Sequence, residues 1–422
     1  MASPLAWRPA GPAPRRTWHD PFAEALARLP GEQWARLQAS ELAVRIQADA
    51  GYQAAWLAAQ EPQARRYILR PPPPLPPARL GLDECPRPPW VHLGALAADL
   101  DLSSEALWNL TLPAAWQRRR GLGKQHHRYR LLPKRCGGWR LLEVPAPYLM
   151  ALQRRLCRQL LDGLPLHPAA LGFRKGHSVL DHARHHAGQD WLLRFDLQDF
   201  FASVSASRVH ALFRTLGYGI SVARALTALT TTATPEPLLQ RWHEQGGLDW
   251  TQRQRLRDPH LAQGAPSSPV LANLCAFGLD LRLQGLADAQ GLRYSRYADD
   301  LVLSGDAAQR GSRDRLRLWV ARIVAEEGFA LNHRKTRCQG QGGRQTVCHL
   351  VVNQQANLPR EEFDALKALL HRCATLGPAT QNRSGRPDWR AHLQGRLAWA
   401  RQVNPHKAQR LDRLWDQIDW NR

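Results

Sequence analysis

Two adjacent carboxylates, Asp299 and Asp300, stand inside the stretch Tyr294-Ser295-Arg296-Tyr297-Ala298-Asp299-Asp300-Leu301-Val302-Leu303-Ser304-Gly305. No other feature narrows the possible folds as much. β-Favouring residues flank a short polar tip, the pattern of a hairpin with the doublet at or beside its turn. Like charges held side by side repel, so a buried tip of this kind needs a cation. Mg²⁺ takes one or two carboxylates and completes its octahedron with water and substrate phosphates. Read alone, the doublet is equally a solvated turn, because Asp is common in turns. The rest of the chain decides between the two.

With 422 residues there is room for two or three domains with real cores. Lys and Arg number 58 against 36 Asp and Glu, a net charge of +22. Such a surplus favours a polyanionic partner, either nucleic acid or an anionic membrane surface. No apolar run reaches the ~18–20 residues that span a bilayer, and Pro and Arg interrupt the N-terminal segment, so neither a membrane anchor nor a signal peptide is expected. Nucleic acid is the expected partner and the cytoplasm the expected location. The seven cysteines are scattered without a Cys-x-x-Cys pair, which suggests neither a zinc site nor a disulfide framework. His182, His185 and His186 crowd one segment, and His182 and His186 suit one helical face. RNA contact or a plain surface is expected there rather than a metal.

Asp20-Pro21 opens a helix, and a second helical stretch covers Gln33 to Ala59. Six prolines between Pro71 and Pro77 predict a stiff polyproline spacer. Short helices are expected over 90–118, with Ser103 or Ser104 as a cap. A basic run, from Arg118-Arg119-Arg120 to Arg130, precedes two β-like segments joined at Gly137-Gly138. That hairpin would present Lys134 and Arg140 to phosphates. A helix follows from Tyr148 to Leu161, then the glycine-bracketed basic loop Gly172-Phe173-Arg174-Lys175-Gly176-His177-Ser178. The apolar run Trp191 to Phe195 delivers Asp196 at its end, and a helix begins within Ser203 to Leu212. From 230 to 262 the chain reads as a polar insertion or loop. Gln263 to Pro269 is a loop of small residues that admits a ligand close to the backbone. Val270 to Leu283 and Arg313 to Glu326 read as helices, Gln345 to Asn353 as a β-like run, and the tail from Leu358 as helical. Leu411, Leu414, Trp415 and Ile418 have core spacing.

In this order, several pieces resemble the reverse transcriptases, in particular the bacterial retron type. They are Phe195-Asp196 with Phe200-Phe201, the Gln263–Pro269 loop, Tyr297-Ala298-Asp299-Asp300, Lys335 within Asn332 to Thr336, and Leu350-Val351-Val352-Asn353. The resemblance spans Arg118 to Asn353 and, more weakly, the tail. It implies an α+β right-hand polymerase fold: fingers over 111–190, a palm with an antiparallel sheet and the catalytic site over 191–353, and a helical thumb over 354–422. A helical N-terminal extension (1–70) and a proline-rich linker with short helices (71–110) precede them. The implied activity is RNA-directed DNA polymerisation. Asp196, Asp299 and Asp300 become the catalytic residues and, with Leu197, the ligands of two Mg²⁺ ions, with Mn²⁺ as a substitute. Arg140 then grips the nucleotide phosphates, helped by Lys134 and Arg174. Phe201 excludes a ribose 2′-hydroxyl, Gln263 meets the sugar and base, and Lys335 assists at the pyrophosphate. The plainer alternatives are solvated cations and, for Phe201, a core aromatic.

The retron segment that normally reads Asn-Ala-x-x-His is here His182-Ala183-Arg184-His185-His186, and the usual Val-Thr-Gly is here Val347-Cys348-His349. Both segments are linked to recognition of the cognate RNA, which makes His182, His186, Val347 and His349 RNA-binding candidates. The implied partners are a structured non-coding RNA serving as template and primer, its DNA product, dNTPs and an effector protein. The implied product is a branched RNA–DNA hybrid used in phage defence. The two departures leave a neighbouring class in play, an abortive-infection-like defence reverse transcriptase. A non-catalytic RNA-binding protein with this fold is a further reading, against which the intact carboxylate trio argues.

Overall fold

Tertiary structure gathers the chain into two units that each draw on separate stretches, residues 1–165 with 201–275, and 166–200 with 276–422. The computed structural model describes residues 39–58, 85, 87–112, 125–133 and 139–420. The expected helix at Asp20, the polyproline spacer, the Arg118–Arg120 run, Lys134 and the Gly137-Gly138 turn lie outside them. The helical stretch from Gln33 is described from Ala39 as two helices, Ala39–Gln47 and Ala50–Ala58. They part at Asp49, whose carboxylate accepts the Tyr52 N–H at 2.9 Å.

In the first unit, β1 (His127–Pro133) and β2 (Trp139–Pro145) form the expected antiparallel hairpin, with His127 opposite Pro145 and Pro133 opposite Trp139. Alternation along β2 turns Leu141, Glu143 and Pro145 inward. The helix Pro147–Gln159 starts on a proline, where the missing N–H costs nothing, and buries Leu149, Leu152 and Leu156. Two more helices, Ala206–Thr215 and Ile220–Thr230, follow.

The stretch read as a polar loop over 230–262 is instead partly helical, over Glu236–Glu244 and Trp250–Arg257. Asp249 and Gln252 form a reciprocal capping box that starts the second helix. Leu239, Trp242, Leu248 and Leu256 close a small core with Leu141. Burial of those few apolar groups outweighs the polar average of the segment. The apolar run from Val270 is likewise not one helix: it breaks at Ala276 into Ser268–Cys275 and Phe277–Ala289.

The second unit holds a four-stranded antiparallel sheet in the order β4-β5-β3-β6, made of β3 (Trp191–Asp196), β4 (Arg293–Tyr297), β5 (Asp300–Gly305) and β6 (Arg337–Gly340). The central strands β3 and β5 are almost wholly buried, which is why they read as continuous apolar runs. Helix Phe277–Ala289 packs on β4, and helix Arg313–Glu326 packs on that helix. A buried ion pair ties the first of these contacts. Arg296 on β4 donates to both oxygens of Asp280, at 2.8 and 2.5 Å, and the Tyr294 hydroxyl donates to the same carboxylate at 2.8 Å.

Two short strands, β7 (Thr346–Val347) and β8 (Leu350–Val351), replace the longer β-like run expected from Gln345. The helical tail comprises Arg360–Leu376, Pro378–Gln381, Trp389–Val403 and Pro405–Trp415. Leu192, Val302, Val347, Leu370, Leu397, Leu411 and Ile418 share one core, so the tail packs on the same apolar mass as the sheet. Among the described residues no single helix is long and apolar enough to cross a membrane.

Candidate active site

Tyr297 at the end of β4 pairs with Asp300 at the start of β5, leaving Ala298-Asp299 as a two-residue turn. Such turns match strand twist when their backbone enters the left-handed region, and Ala298 has φ 57°. The tip is backed by the glycine-bracketed loop. A methyl group on Gly172 would fall 2.5 Å from the Ala298 nitrogen and 3.1 Å from the Tyr297 carbonyl carbon, so only glycine fits. Leu171 N–H donates to the Arg296 carbonyl at 2.9 Å, and the Phe173 ring lies 6.4 Å from that of Tyr297.

On the other side of β5, β3 ends with Asp196 directly opposite Asp300. Leu197 N–H donates to the Asp299 carbonyl at 2.8 Å, and Asn332 N–H donates to the Asp196 carbonyl at 2.8 Å. Three carboxylates remote in the chain thus share one end of the sheet. They remain accessible: the Asp196 and Asp300 side chains keep 18% and 13% of their surface. Lys335, on the short 3₁₀ turn His333–Lys335, donates from Nζ to Asp196 Oδ2 at 2.8 Å. Arg194 grips Asp300 with a fork, Nε to Oδ1 at 3.1 Å and Nη2 to Oδ2 at 2.7 Å.

Burial, with the Asp196 charge adding to it, holds Asp299 above the usual carboxylate range, and Lys335 offsets only part of this. Burial also raises Asp300, against the opposing pull of Arg194. Two partly desolvated carboxylates that resist ionisation are short of positive charge. An oxygen-only donor set of this kind fits a hard divalent cation. Leu197 offers it only a main-chain carbonyl, since its side chain is apolar and buried.

The nucleotide-handling candidates divide between the units. Arg140 lies exposed on β2, and three residues further on Glu143 N–H donates to the Gln263 carbonyl at 2.9 Å. The Arg140 strand and the small-residue loop are therefore neighbours. Gln263 and Phe201 are half-buried. Arg174 is half-buried in the loop that backs the hairpin tip. Under this part of the first unit lies a buried ionised pair. Glu143 accepts from Thr234 Oγ1 at 2.6 Å and meets His260 Nε2 at 2.8 Å. Burial alone would raise Glu143 and lower His260; their mutual attraction outweighs it and reverses both shifts.

The RNA-contact expectation needs correction at three of four positions. His182 and His186 are fully buried on the inner face of helix Val179–His185 and the residue that caps it, and Val347 is fully buried in the core. His186 bridges Ser304 Oγ at 2.7 Å and Ser295 Oγ at 2.8 Å, and His182 Nδ1 meets Ser295 Oγ at 2.7 Å. The shared helical face was legible, but it faces the sheet rather than solvent. His349 is exposed. Sequence reasoning missed Arg194 and Cys348, both of which contact Asp300. A signal existed for the first: Arg194 is a lone charge in an apolar strand, two residues before Asp196 and therefore on its face.

Residues 132–346 match the family described as Reverse transcriptase (RNA-dependent DNA polymerase). The Retron Mx65 reverse transcriptase of Myxococcus xanthus is 40% identical over 336 residues, covering 80% of this chain and 73% of that protein. The Retron Ec86 reverse transcriptase of Escherichia coli is 34% identical over 233 residues, 55% of this chain and 64% of that one. Among solved structures, telomerase from Candida albicans in complex with a fragment of telomeric RNA aligns with a TM-score of 0.39 at 11% identity, over 62% of this chain and 52% of that one. The family match and the retron relatives make the chain a member of the reverse transcriptases, RNA-directed DNA polymerases of the bacterial retron type.

Proposed function

We propose that the chain copies a dedicated structured non-coding RNA into DNA at the Asp196–Asp299–Asp300 cluster, with two Mg²⁺ ions, or Mn²⁺ in their place, held by these carboxylates and the Leu197 carbonyl. Cations held there would lower the pKa of the primer hydroxyl and neutralise charge on the leaving pyrophosphate. Asp196 and Asp299 are the main ligands, and Asp300, restrained by Arg194, is the supporting one. Lys335, whose Nζ contacts Asp196 Oδ2 at 2.8 Å, would offer its charge to the pyrophosphate beside that carboxylate. Arg140 receives the nucleotide's phosphates, with Lys134 and Arg174 as further cations. Phe201 walls off the position of a ribose 2′-hydroxyl, so dNTPs are selected over rNTPs, and Gln263 meets the sugar and base. Fingers, palm and thumb correspond to 111–190, 191–353 and 354–422. The RNA also supplies the primer through a 2′-hydroxyl. The branched RNA–DNA product serves phage defence together with an effector protein.

The observation that carries this reading is the register. Asp196 and Asp300 face each other on adjacent strands, with Asp299 in the turn beside them. The test is Asp299→Asn, assayed by dNTP incorporation on an RNA template in Mg²⁺. Activity should fall roughly 10²–10³-fold or more, because a developing charge loses its counter-charge. Near-wild-type incorporation would overturn the assignment.

A further inference from the structure

Asp300 has a second set of neighbours that polymerisation does not use. One ring nitrogen of His182, a carboxylate oxygen of Asp300 and the Cys348 sulfur all lie within 4.8 Å of one another. They come from three separate elements: the helix Val179–His185, the start of β5 and the β7–β8 turn. The Cys348 thiol already donates to Asp300 Oδ2 at 3.8 Å. His182 is fully buried, spends Nδ1 on Ser295, and leaves Nε2 with no hydrogen-bond partner. A buried imidazole nitrogen with nothing to bond costs free energy that a ligand would recover.

We propose that His182, Asp300 and Cys348 form a site for a thiophilic divalent cation of the zinc and cadmium class, whose occupancy withdraws Asp300 from the catalytic carboxylates and stops polymerisation. The donor set selects the ion. Thiolate and imidazole suit zinc-like cations, whereas Mg²⁺ prefers oxygen alone. Three protein ligands leave a fourth tetrahedral position for water. With bonds of about 2.0–2.3 Å, tetrahedral donors stand roughly 3.3–3.8 Å apart, so sulfur and carboxylate are already at the upper end of that spacing and the trio closes by about 1 Å. On binding, the sulfur–metal bond forms as the thiol proton leaves to solvent. Arg194 then gives up Asp300 Oδ2 and keeps its bond to the Thr346 carbonyl, 3.4 Å away.

The cation site rests on geometry alone, while the arrest of polymerisation rests on the function proposed above, and two readouts separate them. Metal-free full-length protein is titrated with Co²⁺, a spectroscopic stand-in for zinc, in excess Mg²⁺. A thiolate-to-cobalt charge-transfer band should saturate at one equivalent in wild type and be absent from Cys348→Ser and from His182→Gln. No band in wild type, or a band that survives both substitutions, overturns the site; the wild-type titration decides this even if a variant fails to fold. RNA-templated dNTP incorporation is then measured against free Zn²⁺, each protein normalised to its own zinc-free rate. Half-inhibition of Cys348→Ser should need at least ten times more Zn²⁺ than wild type. Equal sensitivity overturns the arrest. A chain that never polymerises, yet shows the band, sinks the polymerase reading and leaves the cation site standing.

Discussion

Arg194 illustrates how much one side chain decides around a carboxylate cluster. Its planar fork holds both oxygens of Asp300, fixing the carboxylate's rotation as well as its charge. With Asp300 in the cation-holding role proposed above, Arg194→Gln should lower kcat for dNTP incorporation about 10–100-fold, with little change in the dNTP KM. Arg194→Lys should recover only part of it, because an ammonium cannot make the fork. Equal kcat for Arg194→Gln and wild type would show that Asp300 needs no such restraint. The lone charge of Arg194 in an apolar strand was a signal for this contact that went unread, whereas Cys348, one of seven scattered cysteines, carried none.

At the level of elements, the β4–β5 hairpin depends on the loop behind it. Gly172 leaves no room for a methyl group against the Ala298 nitrogen. Gly172→Ala should therefore push the turn outward, costing about 1–3 kcal/mol of stability and roughly 10²-fold in kcat, the scale expected of a 1 Å displacement at a reacting centre. An alanine variant with unaltered stability and rate would refute the close packing. A different dependence ties β4 to helix Phe277–Ala289. Asp280 and Arg296 have no exposed side-chain surface, and the Arg296 guanidinium also lies 5.5 Å from the Phe200 ring. Asp280→Ala strands a buried cation and should cost about 3–5 kcal/mol, read as a lower urea midpoint. A loss below about 1 kcal/mol would mean that solvent reaches Arg296.

For the whole molecule, charge and protons set the working conditions. The surplus of +22 predicts that affinity for a structured RNA hairpin falls steeply with salt, by about 10³–10⁵ between roughly 50 and 200 mM if 6–10 phosphates are engaged. A flat salt titration would contradict a phosphate-led interface. Stability should also depend on pH. Burial holds His127 down to about 4 and His186 well below the usual range. Unfolded, both would bind protons near pH 6.5, so the stability they contribute is present above that value and lost as pH falls through it toward the folded pKa. His260 acts oppositely: raised by Glu143, it stabilises fully below the unfolded value and loses its contribution as pH rises through the folded one. His182, held down to about 3 by burial, adds to His127 and His186, so the buried neutral histidines outnumber the one charged one and predict a lower melting temperature at about pH 5 than at about pH 7.5. A rise on acidification would show the Glu143–His260 pair to dominate.

The sequence alone determined what strong local patterns encode. The amphipathic helix Arg313–Glu326 stands as read, because its apolar spacing is a property of consecutive residues. So do the strand ending in Asp196 and the hairpin carrying Asp299, where apolar runs stop at polar tips. The helices inside 236–257 were missed because a few buried anchors and one capping box overrode a polar average. Only tertiary structure decided which face of a pattern meets the core, and so turned His182, His186 and Val347 inward. It also decided which distant residues share a carboxylate, as Arg194, Lys335 and Cys348 do with Asp300 and Asp196. Spacing along a chain specifies local periodicity, whereas burial and charge pairing depend on neighbours that only the fold brings within a few ångströms.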